Sequence, residues 1–313
     1  TAGLVIVIVA YLVVRTNLRI IHADITFKMA EPFATGNTWG LASLLYQRAI
    51  ELAPDEDYYY LFLGRSYLEQ AKTLEDEADK SALVERADAD LKVAQAINPL
   101  NTDHTANLAR LYTWWAGQTT DMNERLERGN VANDYYARAL TLSPNHSTLW
   151  GEWAILLMDV LYQPDAAYER LQSAIQLDQE YNFTQGLLGD YYLNIASLAQ
   201  ERTEVDAAYQ QAIYYYDLAA QFSVGRDRAG KVQYLLSKGN AYVQWGSLDS
   251  PPDPERLTQG IQIYLEAIQA QPSSGDVWRI NEQIARLYMQ MEDKSNALAY
   301  AISAMEKAPE EYR

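Results

Sequence analysis

A pattern of small residue, bulky residue, small residue and proline recurs down this chain and limits what it can fold into. Ala42, Tyr46, Ala49 and Pro54 carry it in full, as do Ala87, Leu91, Ala94 and Pro99, and then Ala132, Tyr136, Ala139 and Pro144. Ala167, Leu171 and Ala174, and Ala212, Tyr216 and Ala219, repeat it without the proline. Gly260, Tyr264, Ala267 and Pro272, then Ala297, Ala301, Ala304 and Pro309, close the series. Residues three and four apart share one helix face, and a proline ends the element. Ahead of each copy lies a companion helix pattern: Tyr60, Leu63, Gly64 and Tyr67; Leu108, Ala109 and Tyr112; Leu188, Gly189 and Tyr192; Gly239 and Tyr242; Ala285 and Tyr288. Trp150, Trp153 and Ala154 stand in the fourth, with Leu157 in the tyrosine position, and Ala30 and Phe33 start the set. Small residues let two helices approach closely, and the rings fill the groove beside them. Such a unit cannot bury its apolar face alone, so neighbours must stack. The expected fold is all-α, a right-handed α-solenoid of about seven helical hairpins.

The spacing of these residues resembles the tetratricopeptide repeat family over about residues 25–313. The resemblance implies a scaffold that binds protein rather than an enzyme. Pro54, Pro99 and Pro144 fall at equal intervals that exceed the roughly 34-residue unit of that family by about 11 residues, close to three helical turns. The charged stretch Lys72 to Lys80 is therefore expected to lengthen a hairpin helix, and Glu201 to Asp206 to mark another such insertion. Gly246 to Pro254, with Pro251 and Pro252, reads as a loop.

Charge and composition narrow the function classes. The 313 residues hold 42 acidic against 25 basic side chains, a net −17. Nucleic acid is therefore not an expected partner, since phosphate binding needs clustered Lys and Arg, and anionic lipid is disfavoured. There is no cysteine, so disulfides, thiolate metal sites and a cysteine nucleophile are excluded. His22, His104 and His146 fall in different repeats without ligand spacing, and surface or helix-cap roles are expected for them. No glycine-rich phosphate loop or nucleophile elbow occurs. Acidic runs such as Asp55-Glu56-Asp57 read as solvated helix starts. No catalytic residue, cofactor or metal site is expected.

Two features remain. Adjacent rings at Tyr58-Tyr59-Tyr60, Trp114-Trp115, Tyr135-Tyr136 and Tyr214-Tyr215-Tyr216 diverge by about 100° on a helix. One ring of each set belongs to the repeat; the others either pack between repeats or face outward. On the second reading Tyr59, Trp115, Tyr135 and Tyr215 line a protein-binding face. Asn145 and Asn182 each open a glycosylation sequon, a pattern that also arises by chance.

The other feature is the uncharged run at the start of the chain. Leu4, Val5, Ile6, Val7, Ile8, Val9, Tyr11, Leu12, Val13 and Val14 precede Arg15 and Arg19, giving an apolar helical segment over 1–24 ahead of the repeats at 25–313. Opening on Thr1 rather than Met reads as the mark of a segment removed upstream. Two uses are open. The segment assembles copies of the chain into an extracellular or cell-surface filament or tube, inserted between neighbours as head-to-tail stacking requires. Alternatively it is a membrane anchor with Arg15 and Arg19 at the interface, and the repeats recruit a partner protein. An apolar helix running into such repeats also resembles the repeat region after the last membrane helix of O-antigen ligase-type bacterial proteins. No ligase membrane domain lies within this sequence, so only a role in envelope or polysaccharide assembly is implied.

Overall fold

The computed structural model describes residues 2–13, 18–223, 228–271 and 275–312, and these are helical with no strand among them. They fall into two compact units, Thr1–Tyr162 and Gln163–Arg313.

The first unit holds α1 (Ala2–Val13), α2 (Arg19–Lys28), α3 (Glu31–Thr35), α4 (Trp39–Leu52), α5 (Asp57–Ala71), α6 (Glu77–Ile97), α7 (Thr102–Gln118), α8 (Met122–Leu142) and α9 (Ser147–Ile155), which runs into a π-helical turn, Leu156–Val160. Here α2 packs on α4, α5 on α6 and α7 on α8. The second unit holds α10 (Pro164–Leu177), α11 (Asn182–Leu198), α12 (Arg202–Phe222), α13 (Arg228–Ser247), α14 (Pro254–Ala270), α15 (Val277–Gln290) and α16 (Lys294–Lys307), closed by a 3-10 turn at Glu310–Tyr312. Its hairpins are α11 with α12, α13 with α14, and α15 with α16. The helices of the expected fourth repeat, α9 and α10, belong to different units. The boundary expected after residue 24 falls inside α2, whose Ala23 and Thr26 are both buried.

Most of the small and bulky positions on the returning helices are buried in the cores of the two units, whereas Pro54, Pro99, Pro144 and Pro309 are exposed and Pro272 lies outside the described residues. Ala87, Leu91 and Ala94 are fully enclosed, and Tyr46, Tyr136, Tyr216 and Tyr264 are at most 3% exposed. Part of the reason lies across three of the hairpins, where a glycine of the first helix admits the bulky residue of the returning helix, while alanine, Ala109 or Ala285, stands there in α7 and α15. A Cβ on Gly64 would stand 2.7 Å from Leu91 Cγ, and one on Gly189 or Gly239 would meet the ring of Tyr216 or Tyr264 at 2.5–2.8 Å. The residue after the glycine then serves the phenol. Tyr216 donates to Asp190 Oδ1 at 2.6 Å, and Tyr264 donates to Asn240 Oδ1 at 2.5 Å.

The extra residues lengthen the returning helices, as expected. α6, α8 and α12 have 21 residues each, against 14 in α4, α10 and α16. The stretch Lys72 to Lys80 is not helical throughout, however. The chain leaves α5 at Ala71, and Asp76 restarts it as an N-cap, accepting from Ala78 N at 2.9 Å and Asp79 N at 3.0 Å. Asp121, Asp253 and Asp293 cap α8, α14 and α16 in the same way. Part of the acidic excess thus sits where orphan helix N–H groups want it. The loop expected over Gly246 to Pro254 begins after Ser247, and Pro254 opens α14 at a position that needs no N–H.

Candidate functional site

Among the described residues no cluster of His, Cys, Asp or Glu could hold a metal ion. His104, expected at a surface or cap, is instead fully buried. Its Nε2 lies 2.6 Å from Asp57 Oδ2, tying the start of α7 to the start of α5. Burial opposes ionisation of Asp57, but hydrogen bonds from His104, Asn98 and Asn101 outweigh it and hold the carboxyl below its usual range. A carboxylate so satisfied is a structural pin. His22 is exposed, and His146 precedes α9.

The apolar segment behaves differently from the rest. Leu4, Val5, Ile6, Val7, Ile8, Val9, Tyr11 and Val13 are each between 44% and 68% exposed. They occupy every side of α1, so the helix has no polar face. The side chain of Leu12, and all of Val14 and Arg15, lie outside the described residues. Other exposed apolar side chains are Leu18, Ile21, Ile25 and Met29 on and around α2, and Leu41 and Leu44 on α4. Side chains scattered singly are ordinary on a protein surface; a run like that of α1 is not.

The four candidate aromatics part ways. Tyr59 does not line an outer face: it is 3% exposed, its ring lies 5.2 Å from Phe27, and its hydroxyl donates to Asp24 Oδ1 at 2.5 Å. Burial first and the Asp24 carboxylate second raise its pKa. Its neighbours take the other roles, Tyr58 exposed and Tyr60 half-buried. Trp115 and Tyr135 are half-buried against Tyr112, each with ring centroids 5.8 Å from it. Arg128 covers Trp115 at 4.2 Å, and Lys92 stands 5.8 Å from the Tyr112 ring while holding Asp88 at 2.7 Å. The rings join α7 to α8, and Lys92 ties α6 to them.

Tyr215 belongs to a larger feature, a tyrosine ladder in the second unit. Tyr168 of α10 stacks on Tyr191 of α11 at 5.0 Å; Tyr191 meets Tyr192 edge-on at 5.1 Å; Tyr192 lies parallel to Tyr215 of α12 at 5.5 Å; and Tyr214 closes the row at 5.2 Å, 55% exposed. Sequence reasoning missed Tyr168 and Tyr191, because nothing local shows that α10 will bring its ring to α11. Lower in the same unit, α15 and α16 flank an apolar trough of about 840 Å³ lined by Trp278, Met289, Leu298, Met305 and Tyr312 beside a row of alanines.

A third surface feature, in the first unit, combines charge with rings. Gln47, Ile50 and Glu51 of α4, Tyr60, Leu63 and Tyr67 of α5, and Arg86, Ala89 and Asp90 of α6 line a cleft of about 440 Å³. Burial pushes the Asp90 carboxyl up to about 6, with the charge of Arg86 pulling partly the other way.

No family model matches the chain, and no curated protein matches it. Solved structures do resemble it. A thermophilic tetratricopeptide repeat protein of Thermus thermophilus, TTC0263, aligns over 69% of this chain and 98% of its own, with TM-score 0.53 and 18% identity. PilW, a widely conserved type IV pilus biogenesis factor, aligns over 82% and 97%, with TM-score 0.54 and 15% identity. PilF of Pseudomonas aeruginosa aligns over 85% and 99%, with TM-score 0.52 and 15% identity. At such identities the likeness carries the fold, which is of the tetratricopeptide type, and nothing about activity.

Proposed function

We propose that this chain is a non-enzymatic protein-interaction scaffold held at a lipid bilayer by α1. The carrying observation is that α1 is apolar around its whole circumference and exposed on every described large side chain. A helix without a polar face is at home in hydrocarbon, whereas a groove covers one side only. Exposing a Val, Leu or Ile side chain costs about 1.5–3 kcal/mol relative to burying it, so the run as a whole favours lipid strongly. Twelve residues extend about 18 Å, roughly one leaflet of a hydrocarbon core about 30 Å thick. Among the described residues no helix is long and apolar enough to cross a membrane, so the contact proposed is insertion by α1 rather than a span built from it alone. Arg19 then sits at the interface, and the exposed tyrosine and cleft surfaces of the two units recruit protein.

A second reading has one observation of its own. The trough on α15 and α16 is largely apolar, and α1 of another copy, seated there, would join copies into the filament or tube that head-to-tail assembly requires. Flotation separates the two readings. Mixed with zwitterionic phosphatidylcholine vesicles, the intact chain is expected to float, and a variant carrying Leu4→Asn, Ile6→Asn and Ile8→Asn to stay at the bottom. If the intact chain ignores vesicles but sediments as a polymer that Leu298→Glu disperses, assembly replaces the membrane reading.

A further inference from the structure

We propose that α16 of one copy of this chain is a docking surface for α2 of another, so that copies add head to tail by the contact that already joins α14 to α15. The inference goes beyond the tether and stands whether or not α1 enters lipid.

The register of α16 carries half of the case. Leu298, Ile302 and Met305 directly follow Ala297, Ala301 and Ala304 of the repeated pattern, as Ile261, Leu265 and Ile268 follow Gly260, Tyr264 and Ala267. In α14 those three meet the next helix: Ile261 is buried in a core with Ile280, Ile284 and Leu287 of α15, and Leu265 and Ile268 pack against it. The same places in α12 behave alike, Ile213 buried with Ala241 and Trp245 of α13, and Ala220 with Leu235. On α16, by contrast, Leu298, Ile302 and Met305 are 63%, 47% and 62% exposed. A helix that closes a repeat array carries a polar outer face. Instead α16 has the apolar face of an internal one, beside the trough that it forms with α15.

The other half lies on α2. Ala30 and Phe33 hold in the first hairpin the places of Gly64 and Tyr67 in α5 and of Ala285 and Tyr288 in α15. On that register Ile25 and Met29 correspond to Tyr59 and Leu63, and to Ile280 and Ile284. Those four are buried, packed toward the return helix that precedes them. Ile25 and Met29 are 53% and 57% exposed, and Leu18 and Ile21 extend the same apolar side of the helix. Thus α2 lacks the kind of helix that α16 offers, and α16 lacks the kind that α2 offers. Being apolar all round, α1 has no such register. The two faces differ, so the contact is heterologous and every added copy brings a free face for the next.

Sedimentation velocity tests this on the full chain carrying Leu4→Asn, Ile6→Asn and Ile8→Asn, which removes association driven by α1. About 0.15 M salt confines repulsion between the acidic copies to about 8 Å. This chain is expected to associate, its sedimentation coefficient rising with concentration. Adding Leu298→Glu or Ile25→Glu should weaken association at least about ten-fold, since the contact would bury an unpaired carboxylate. Both positions are exposed, so helix content by circular dichroism should not change. The decisive sample mixes these two variants in equal amounts. Each keeps the face that the other has lost, so together they should form a 1:1 dimer and nothing larger. Leu100→Glu adds the same charge at an exposed turn and should leave association unchanged. Absence of association, association that survives Ile25→Glu, or a mixture that stays monomeric would each overturn the proposal. So would an equal loss in Leu100→Glu, which would reduce the effect to added charge. Vesicle flotation of the intact chain reports on α1, so the tether and this contact can fail separately.

Discussion

Asp90 shows most clearly how a single side chain ties stability to pH. Its folded pKa of about 6 lies above the unfolded value of 3.8, so the folded state holds the proton more tightly. The associated stability is fully present below about pH 3.8 and is lost as pH rises through about 6. Above that range the fold carries an ionised, half-buried acid. Asp90→Asn is expected to raise unfolding stability at pH 7.5 by about 1–2 kcal/mol, a figure reduced from the full shift because the group is partly solvated. The gain should vanish near pH 4. Urea unfolding at both pH values measures this, and a variant less stable at pH 7.5 would mean that the carboxylate holds the cleft together. Asp57 has the opposite sign. Its depressed pKa contributes stability above about 3.8 that is lost only as pH falls further, so the two acids act in different windows.

At the scale of the hairpin, close helix approach in α5–α6, α11–α12 and α13–α14 depends on glycine facing the bulky residue of the return helix. Tyr216 cannot swing away from a new methyl on Gly189, because its hydroxyl is held by Asp190 at 2.6 Å. Gly189→Ala is therefore expected to destabilise by about 1–3 kcal/mol through overpacking. Gly117→Ala, with open space around the position, should gain up to about 1 kcal/mol from helix propensity. Chemical denaturation of the pair tests this, and a neutral Gly189→Ala would show that the hairpin can widen. This contact was legible in the residue pattern itself, because small and bulky residues recur at helical spacing and those of the returning helices, such as Leu91, Tyr216 and Tyr264, are buried where the pattern puts them. The ring clusters were legible only in part. Tyr136 and Tyr216 follow their repeat inward, but within Tyr58-Tyr59-Tyr60 the buried ring is Tyr59, because Asp24 on α2 supplies its acceptor. No local period links positions that far apart. The cleft at Asp90 was equally hidden, since it draws on three helices and its decisive property is burial of a charge.

Across the whole molecule the question is whether its many ion pairs or its net charge governs the response to salt. Most pairs join residues three or four apart on one helix, such as Arg48 with Glu51 and Arg286 with Glu282, and are largely exposed. Pairs of this kind contribute about 0.3–0.5 kcal/mol each and are screened readily. Bridges that join separate elements are fewer. Arg110 holds Glu152 at 2.8 and 3.0 Å, and Arg202 holds Asp249 at 2.7 and 3.1 Å while Arg256 reaches the same carboxylate. Against them stands a surplus of 17 negative charges, whose mutual repulsion acts over distances beyond a single pair and is relieved in the unfolded chain. Raising ionic strength from about 0.01 to 0.15 M shortens the screening length from about 30 to 8 Å, which weakens the distant repulsions more than the contacts. The melting temperature is thus expected to rise by a few degrees over that range, measured by circular dichroism at 222 nm on the α1 variant at low protein concentration so that self-association or lipid does not intrude. A fall would mean that the surface pairs outweigh the surplus charge, and the acidic balance would then serve partner attraction alone.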